Sequence, residues 1–367
     1  MNMKRRVIIG MSGGVDSSVA AALLVEQGYE VVGITLKTYN YEEVGGNSNG
    51  DSSCCSLDGI NDARSVCLQL GIPHYVFDFS APFKEFVINP FIEEYLAGNT
   101  PNPCVICNRH IKWEALIRKA KSLDADFVAM GHYARVEHDP QSGRHWISRG
   151  KDSWKDQSYA LWGLTQESLS HTLFPLGDFT KEEVRQIAER FQLKTAQKGE
   201  SYEICFIPDN DYARFLREKV QGLEKKVAEG DVVFENQIIG HHHGYPFYTI
   251  GQRRGLNVAL GEPVFVKEID AQKNRIMLGR DTDLYRRRFS TRSVNLMKAT
   301  ELRAPQQVIA KIRYKDDGAL ATLLPQPDGA IHVLFDEPRR AVTPGQSTVW
   351  YDGDDVFGGA IIDSILE

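Results

Sequence analysis

The stretch Gly10-Met11-Ser12-Gly13-Gly14-Val15-Asp16-Ser17-Ser18 constrains this chain more than any other. It follows a short apolar run, Val7-Ile8-Ile9, and leads into a segment with apolar residues at Val15, Val19, Ala22 and Leu23 that stops near Gly28. Strand, glycine loop and amphipathic helix in that order predict a phosphate cradle. Glycines let backbone N–H groups approach an anion, and the helix dipole favours negative charge at that end. No Lys-Ser/Thr pair closes the loop, so it is not a Walker A motif. Asp16 is a candidate for orienting Mg²⁺ or the loop itself, or for capping the helix.

The first 135 residues repeat the alternation. Strands are predicted over 6–9, 30–36, 74–78 and 126–130, and helices over 15–27, 60–70, 83–96 and 108–122. This order implies an α/β fold with a doubly wound parallel sheet and ligands at the strand C-terminal ends. Gly10, Lys37, Asp78 and Gly131-His132 follow those ends and should face one crevice. A polar insert, 40–53, reads as a mobile loop. A hairpin is expected over 136–150, and a helix over 180–192 with Thr180 and Glu183 as its capping box. After residue 209 helical patterning gives way to short β-like runs, and 282–367 suits a small β-barrel. The expected domains are therefore 1–208, 209–281 and 282–367. The adjacent His241-His242-His243 cannot converge on one ion without a sharp turn, so they read as a polar or nucleic-acid-facing surface.

A chain of 367 residues with net charge −6 argues weakly against nucleic acid as a whole, but the charge is uneven. Residues 281–315 hold nine Lys/Arg against three acids, and 109–121 hold five against one. These windows are either solvated faces or phosphate-contacting patches. No apolar run is long enough to cross a bilayer, and the three basic residues before Val7 precede too short an apolar stretch for a signal peptide. The expected compartment is the cytoplasm.

Six cysteines stand at 54, 55, 67, 104, 107 and 205. Their spacing does not suit a disulfide scaffold. Cys104 and Cys107 form the one CxxC. With Asn108 as the cap of the following helix, both thiols would lie near its N-terminus, which favours thiolates. Without a second CxxC, structural zinc is disfavoured. A nucleophilic thiol or a cluster ligand remains. Cys205 reads as buried or as presented by the polar loop before it, and Cys67 as core.

The string Ser12 to Ser18 resembles the PP-loop of enzymes that split ATP between its α and β phosphates. Further strings span the chain: Thr100 to Asn108, Gly131-His132-Tyr133, Lys155 to Tyr159, Ile204 to Ile207, Gly251 to Gly255, Arg313-Tyr314 and Thr343 to Ser347. Together they resemble the bacterial tRNA-specific 2-thiouridylases, which place sulfur at C2 of the wobble uridine. The resemblance implies a PP-loop domain, a small central domain and a C-terminal β-barrel. It implies that Gly10, Met11, Ser12, Gly13, Gly14, Val15, Asp16 and Ser17 hold ATP, with Leu36 and Gly131. It makes Cys107 the nucleophile and Cys205 the bearer of a persulfide. Asn102, Pro103 and Cys104 would approach the target base, and His132, Lys155, Asp156, Gln157, Arg313, Tyr314 and Gln346 the tRNA. ATP and Mg²⁺ are the implied cofactors, the tRNA anticodon loop the implied substrate, and a sulfur-carrier protein or cysteine desulfurase the implied sulfur donor.

Three positions depart from the family pattern. Leu36 stands where some members have Met, Cys104 where others have Asp, and Tyr202-Glu203 where a small glycine-containing pair is common. The additional Cys104 leaves a second arrangement open, in which Cys104, Cys107 and Cys205 hold a [4Fe–4S] cluster with one open iron. Two rival classes are another PP-loop enzyme, such as an amide-forming synthetase, and an RNA-binding protein with a vestigial nucleotide site.

Overall fold

A computed structural model describes residues 4–39, 57–199 and 204–367. The polar insert 40–53 expected to be mobile, with Cys54, Cys55 and the Tyr202-Glu203 pair, lies outside the described residues. The chain divides into two units. The first comprises 1–88, 103–210 and the short return 354–356; the second comprises 89–102, 211–353 and 357–367.

The elements begin with β1 (Arg6–Gly10), α1 (Val15–Glu26), β2 (Glu30–Lys37), α2 (Leu57–Gln69) and β3 (His74–Asp78). A helix in three pieces follows: α3 (Ser80–Phe83), a π stretch Lys84–Ile88, and α4 (Asn89–Leu96), the last within the second unit. Next come α5 (Pro103–Cys107), a second π stretch Asn108–Ala115, α6 (Leu116–Lys121) and β4 (Phe127–Ala129). The hairpin β5 (Ala134–His138) and β6 (His145–Arg149) is followed by α7 (Gln166–Ser170), β7 (Thr172–Leu173) and α8 (Lys181–Arg190). β3, β2, β1, β4 and β7 form one sheet in that order, paired in parallel. The strand order turns back between β1 and β4, which opens a crevice at their C-terminal ends.

The second unit adds α9 (Tyr212–Lys219), α10 (Leu223–Val227), β8 (Gly230–Phe234), β9 (Gln237–His242), β10 (Phe265–Asp270) and β11 (Arg275–Gly279). The four strands form a sheet in the order β10-β11-β8-β9. Six more follow: β12 (Tyr285–Leu296), β13 (Gln306–Lys311), β14 (Ala319–Pro325), β15 (Ile331–Arg340), β16 (Ser347–Asp352) and β17 (Asp355–Ile365). They run in the order β12-β15-β14-β13-β16-β17, and β12 also pairs with β17, so the barrel closes. Alternating inward residues such as Val308, Ala310, Ala321, Leu323, Val333, Phe335 and Trp350 fill it.

Several expectations need correction. α1 is not amphipathic: nine of its twelve residues are buried, because the sheet, α2 and α8 enclose it and its Ala and Ser side chains permit close approach. The cysteine helix starts at Pro103 rather than after Asn108, since proline lacks only an N–H that a first turn leaves unbonded anyway. Asn108 is therefore no cap; it is buried and donates from Nδ2 to the Ala160 carbonyl at 2.9 Å. The region after 209 opens with two helices, α9 and α10, not strands. His242 is buried, not surface: its Nδ1 accepts the Gly244 N–H at 3.0 Å, fixing the turn after β9. The Thr180–Glu183 capping box is present as expected.

Candidate nucleotide and thiol site

The loop after β1 is shaped by steric limits. Gly13 has φ +73°, and a Cβ there would lie 2.1 Å from the Gly59 carbonyl oxygen. Only glycine fits a left-handed backbone this close to α2. Gly131, just past β4, is equally confined: its Cβ would stand 2.7 Å from the Ser17 nitrogen. Three hydroxyls brace the turn from inside. The Ser12 Oγ accepts the Gly14 N–H at 3.3 Å and meets the Ser17 Oγ at 3.1 Å. Ser17 and Ser18 donate to the Gly14 carbonyl at 3.2 and 2.8 Å. Met11 is held by its N–H on the Ile34 carbonyl and by the Thr35 hydroxyl on its own carbonyl. Gly10, Met11, Ser12, Gly13, Gly14, Val15, Asp16, Ser17 and Gly131 thus form one continuous cradle at the N-terminus of α1. Leu36 sits near the C-terminal end of β2, in register with Phe77 of β3.

Asp16 does not cap the helix; Gly14 holds that position. Its Oδ1 accepts the Tyr133 hydroxyl and the Lys181 Nζ, both at 2.7 Å. A second lysine, Lys198, donates to the Gly13 carbonyl at 3.0 Å and to Asp62 at 2.7 Å. With Lys194 also near, the lysines hold the Asp62 carboxyl below its ordinary range against the opposing effect of burial. Sequence reasoning missed Lys181, Lys198 and the role of Tyr133. No local pattern signals them, because each meets the loop across more than a hundred residues of chain.

The thiols lie in the same unit. Cys104 is exposed and Cys107 half-buried, in the first and second turns from Pro103. Trp113, farther along the same continuous helix, packs against the His132 ring at 5.4 Å, one residue from Gly131. His132 is buried, and desolvation pushes its pKa well below the ordinary histidine value. It stands neutral beside Trp113 and Phe174, so it cannot serve as a cationic phosphate contact. Cys205 is half-buried, and its carbonyl accepts the Tyr39 hydroxyl at 2.5 Å, just beyond β2. Its neighbour Phe206 meets Phe83 edge-on at 5.6 Å. Three residues past Phe83, Phe86 stacks on His110 at 5.1 Å, three residues past Cys107. The segments that flank Cys107 and Cys205 thus both pack on the helix that begins at Ser80. Cys67, in contrast, is buried under Gly33, and its thiol is pushed up to about 12 by desolvation. Among the described residues no three His, Cys, Asp or Glu side chains converge to hold a metal ion. Cys104, Cys107 and Cys205 as they stand do not form a three-point cluster mount.

The remaining predicted contacts divide between the units. In the first, Asp156 accepts N–H groups of Gly150 and Ser158 at 3.2 and 3.1 Å, and Gln157 exchanges two hydrogen bonds with Tyr133. Both build the loop that carries the half-buried Lys155 and the exposed Trp154. In the second, Gln346 donates to the carbonyls of Thr100 and Pro101 at 2.8 and 3.3 Å, directly before Asn102. Arg313 and Tyr314 are exposed. Part of each basic window is engaged in ion pairs, including Arg292 with Glu94, Lys298 with Asp352 and Lys121 with Glu167. No helix among the described residues is long and apolar enough to cross a membrane.

A parallel sheet with a glycine cradle after its first strand, followed by a sheet domain and a closed barrel, defines the class: a PP-loop α/β protein with two β-rich extensions. Residues 5–209 match the family model described as tRNA methyl transferase HUP domain, 214–280 the PRC-barrel domain of the same name, and 286–362 an aminomethyltransferase beta-barrel domain. Full-length relatives are named tRNA-specific 2-thiouridylase MnmA. That of Salinibacter ruber is 50% identical, over 100% of this chain and 96% of its own length. Those of Amoebophilus asiaticus and Cytophaga hutchinsonii are 52% and 51% identical, over 98% and 99% of this chain and 95% and 99% of their own. The chain belongs to the tRNA-specific 2-thiouridylase family.

Proposed function

We propose that this chain carries out ATP-dependent 2-thiolation of a tRNA wobble uridine. The observation that carries the reading is the grouping within one unit of an anion cradle without a Walker lysine and two half-buried thiols. The cradle reaches the cysteine helix through Gly131-His132, and Cys205 is tethered at Tyr39. An amide-forming synthetase needs the cradle but not the thiols. The family models' methyltransferase descriptions do not call for paired thiols either.

In this reading the cradle residues and the end of α1 hold the triphosphate, with Leu36 and Gly131 beside the nucleotide. Mg²⁺ bound with the nucleotide would supply charge neutralisation for the attack on phosphorus. The uridine C2 oxygen attacks the α phosphorus and pyrophosphate leaves. The terminal sulfur of a Cys205 persulfide then attacks C2, and AMP leaves with the former oxygen. The Cys107 thiolate attacks the Cys205 Sγ, the S–S bond breaks, and the thiouridine sulfur departs with its electron pair. A Cys107–Cys205 disulfide remains, and an external dithiol reduces it by two electrons. A sulfur-carrier protein or cysteine desulfurase reloads Cys205. Asn102, Pro103 and Cys104 would meet a base that has left its stack, which an anticodon loop permits at little expense. Lys155, Asp156, Gln157, Arg313, Tyr314 and Gln346 would line the tRNA path, and His132 would act as a neutral, shape-giving group. The cluster alternative would need Cys104, Cys107 and Cys205 to converge on one iron centre, and it is kept as the second reading.

The test is nucleoside mass analysis of tRNA after incubation with ATP, Mg²⁺ and a persulfide source. The expected product is wobble uridine with one oxygen replaced by sulfur. Cys205→Ser should abolish it while tRNA-dependent pyrophosphate exchange continues. Cys107→Ser should leave tRNA sulfur-linked to Cys205. Full thiolation by Cys205→Ser would overturn the persulfide route.

A further inference from the structure

α1 carries an acid, Asp16, in its first turn. A carboxylate there favours the helix but opposes an anionic ligand, because both compete for the same partial positive charge of about +0.5. A cradle that must receive a triphosphate thus has a built-in electrostatic conflict. Lys181 is placed to remove it. Its Nζ lies 2.7 Å from the Asp16 Oδ1, and its side chain is only 13% exposed. The ammonium also stands 5.9 Å from the centre of the Tyr133 ring, whose hydroxyl donates to the same carboxylate oxygen. The root of the lysine is fixed as well. Lys181 is the first residue of α8, directly behind the Thr180–Glu183 capping box, and its N–H donates to the Asp152 carboxylate at 2.8 Å.

We propose that Lys181 is a positioning residue for ATP: it holds the Asp16 carboxylate in an ion pair, so that the N-terminus of α1 is left to the phosphates. The inference rests on the reading of the cradle as an ATP site. It does the electrostatic duty that a Walker A lysine performs from inside its own loop, but from a helix 165 residues away in sequence, and by cancelling an acid rather than by touching phosphate.

The two roles separate in a double-variant cycle on the full chain, read as the ATP dissociation constant by calorimetry, with thermal melts to verify folding. Lys181→Met should weaken ATP roughly tenfold to a hundredfold, the scale of one uncompensated charge at a partly buried site. Lys181→Gln keeps a hydrogen-bond donor without the charge and should weaken it similarly, which guards against a folding artefact of the shorter contact. Asp16→Asn combined with Lys181→Met should recover most of the loss. A double variant as weak as Lys181→Met would mean that the lysine binds phosphate directly, and would overturn the proposal. So would wild-type affinity in both single lysine variants. Failure of the unaltered protein to bind ATP would instead remove the ATP reading itself.

Discussion

α1 and the helix that carries Cys104 and Cys107 belong to one unit but are built on opposite terms. α1 is a regular helix of twelve residues, nine of them buried, made largely of Ala, Ser and Val. What it offers a ligand is backbone: N–H groups at its first turn and glycines that allow approach. The cysteine helix changes register twice, from α over Pro103–Cys107 to π over Asn108–Ala115 and back to α over Leu116–Lys121. π segments inside α-helices are rare and are frequently found at functional sites. What this helix offers is side chains: the thiols, and Trp113 against His132. The difference teaches where each region is fragile. The cradle should be intolerant of added volume and, at its buried hydroxyls, tolerant of altered polarity. The cysteine helix should show the reverse, as an isosteric Cys107→Ser change would demonstrate by ending turnover without loss of fold.

The largest effect should come from one methyl group at Gly13. Gly13→Ala places a Cβ 2.1 Å from the Gly59 carbonyl oxygen on a backbone with φ +73°. The left-handed conformation alone costs about 1–2 kcal/mol for a non-glycine residue, and the clash must in addition displace α2. A loss of at least about 3 kcal/mol in urea unfolding is expected, with ATP binding lost in calorimetry. Wild-type affinity in Gly13→Ala would break the claim that shape rules the cradle.

The next effect belongs to the contact between the two regions. Burial depresses the His132 pKa well below the ordinary value, and its Nδ1 has no hydrogen-bond partner among the described residues. The folded protein therefore keeps His132 neutral while the unfolded chain protonates it below about pH 6.5. The unfolded state then binds more protons, so stability falls as the pH is lowered through and below that value. His132 alone contributes a slope of up to about 1.4 kcal/mol per pH unit. His132→Asn should flatten the acid limb of the stability–pH curve by up to that amount. An unchanged limb would mean that the ring beside Trp113 is not buried in solution.

How much of this was legible beforehand follows the range of the interactions. The cradle loop, the β5–β6 hairpin and the capping box at Thr180 are written in neighbouring residues and stand where the sequence placed them; the alternation of strands and helices is likewise local, although the cysteine helix begins five residues earlier than its pattern suggested. The burial of Asn108 was not legible, because its side chain is held by a carbonyl at Ala160, 52 residues away. The burial of His242 depends on Asn274, whose carbonyl faces its Nε2 at 3.2 Å. Lys181 and Asp16 meet across 165 residues, and neither position reveals the other. The thiol positions were legible as a pattern, but the path that links them, Phe206 to Phe83 and Phe86 to His110, runs through aromatic contacts between distant segments.

The smallest effect is the sharper test of the contrast, because it removes polarity from the heart of the cradle without adding volume. Ser18 is fully buried, and its hydroxyl donates to the Gly14 carbonyl at 2.8 Å. That carbonyl also receives the Ser18 N–H at 3.3 Å and the Ser17 hydroxyl at 3.2 Å. Ser18→Ala therefore strands no acceptor. The lost hydrogen bond is worth about 1 kcal/mol, and the better helix propensity of alanine offsets part of it. A serine hydroxyl bonded back to the carbonyl four residues earlier is in any case a weak support for a helix. Urea unfolding should show a change within about 1 kcal/mol, and ATP affinity should hold within roughly twofold, since about 0.4 kcal/mol separates twofold-different constants. If Ser18→Ala instead matches Gly13→Ala in its damage, hydroxyl chemistry and not backbone shape sustains the cradle, and the two helices differ less than their geometry implies.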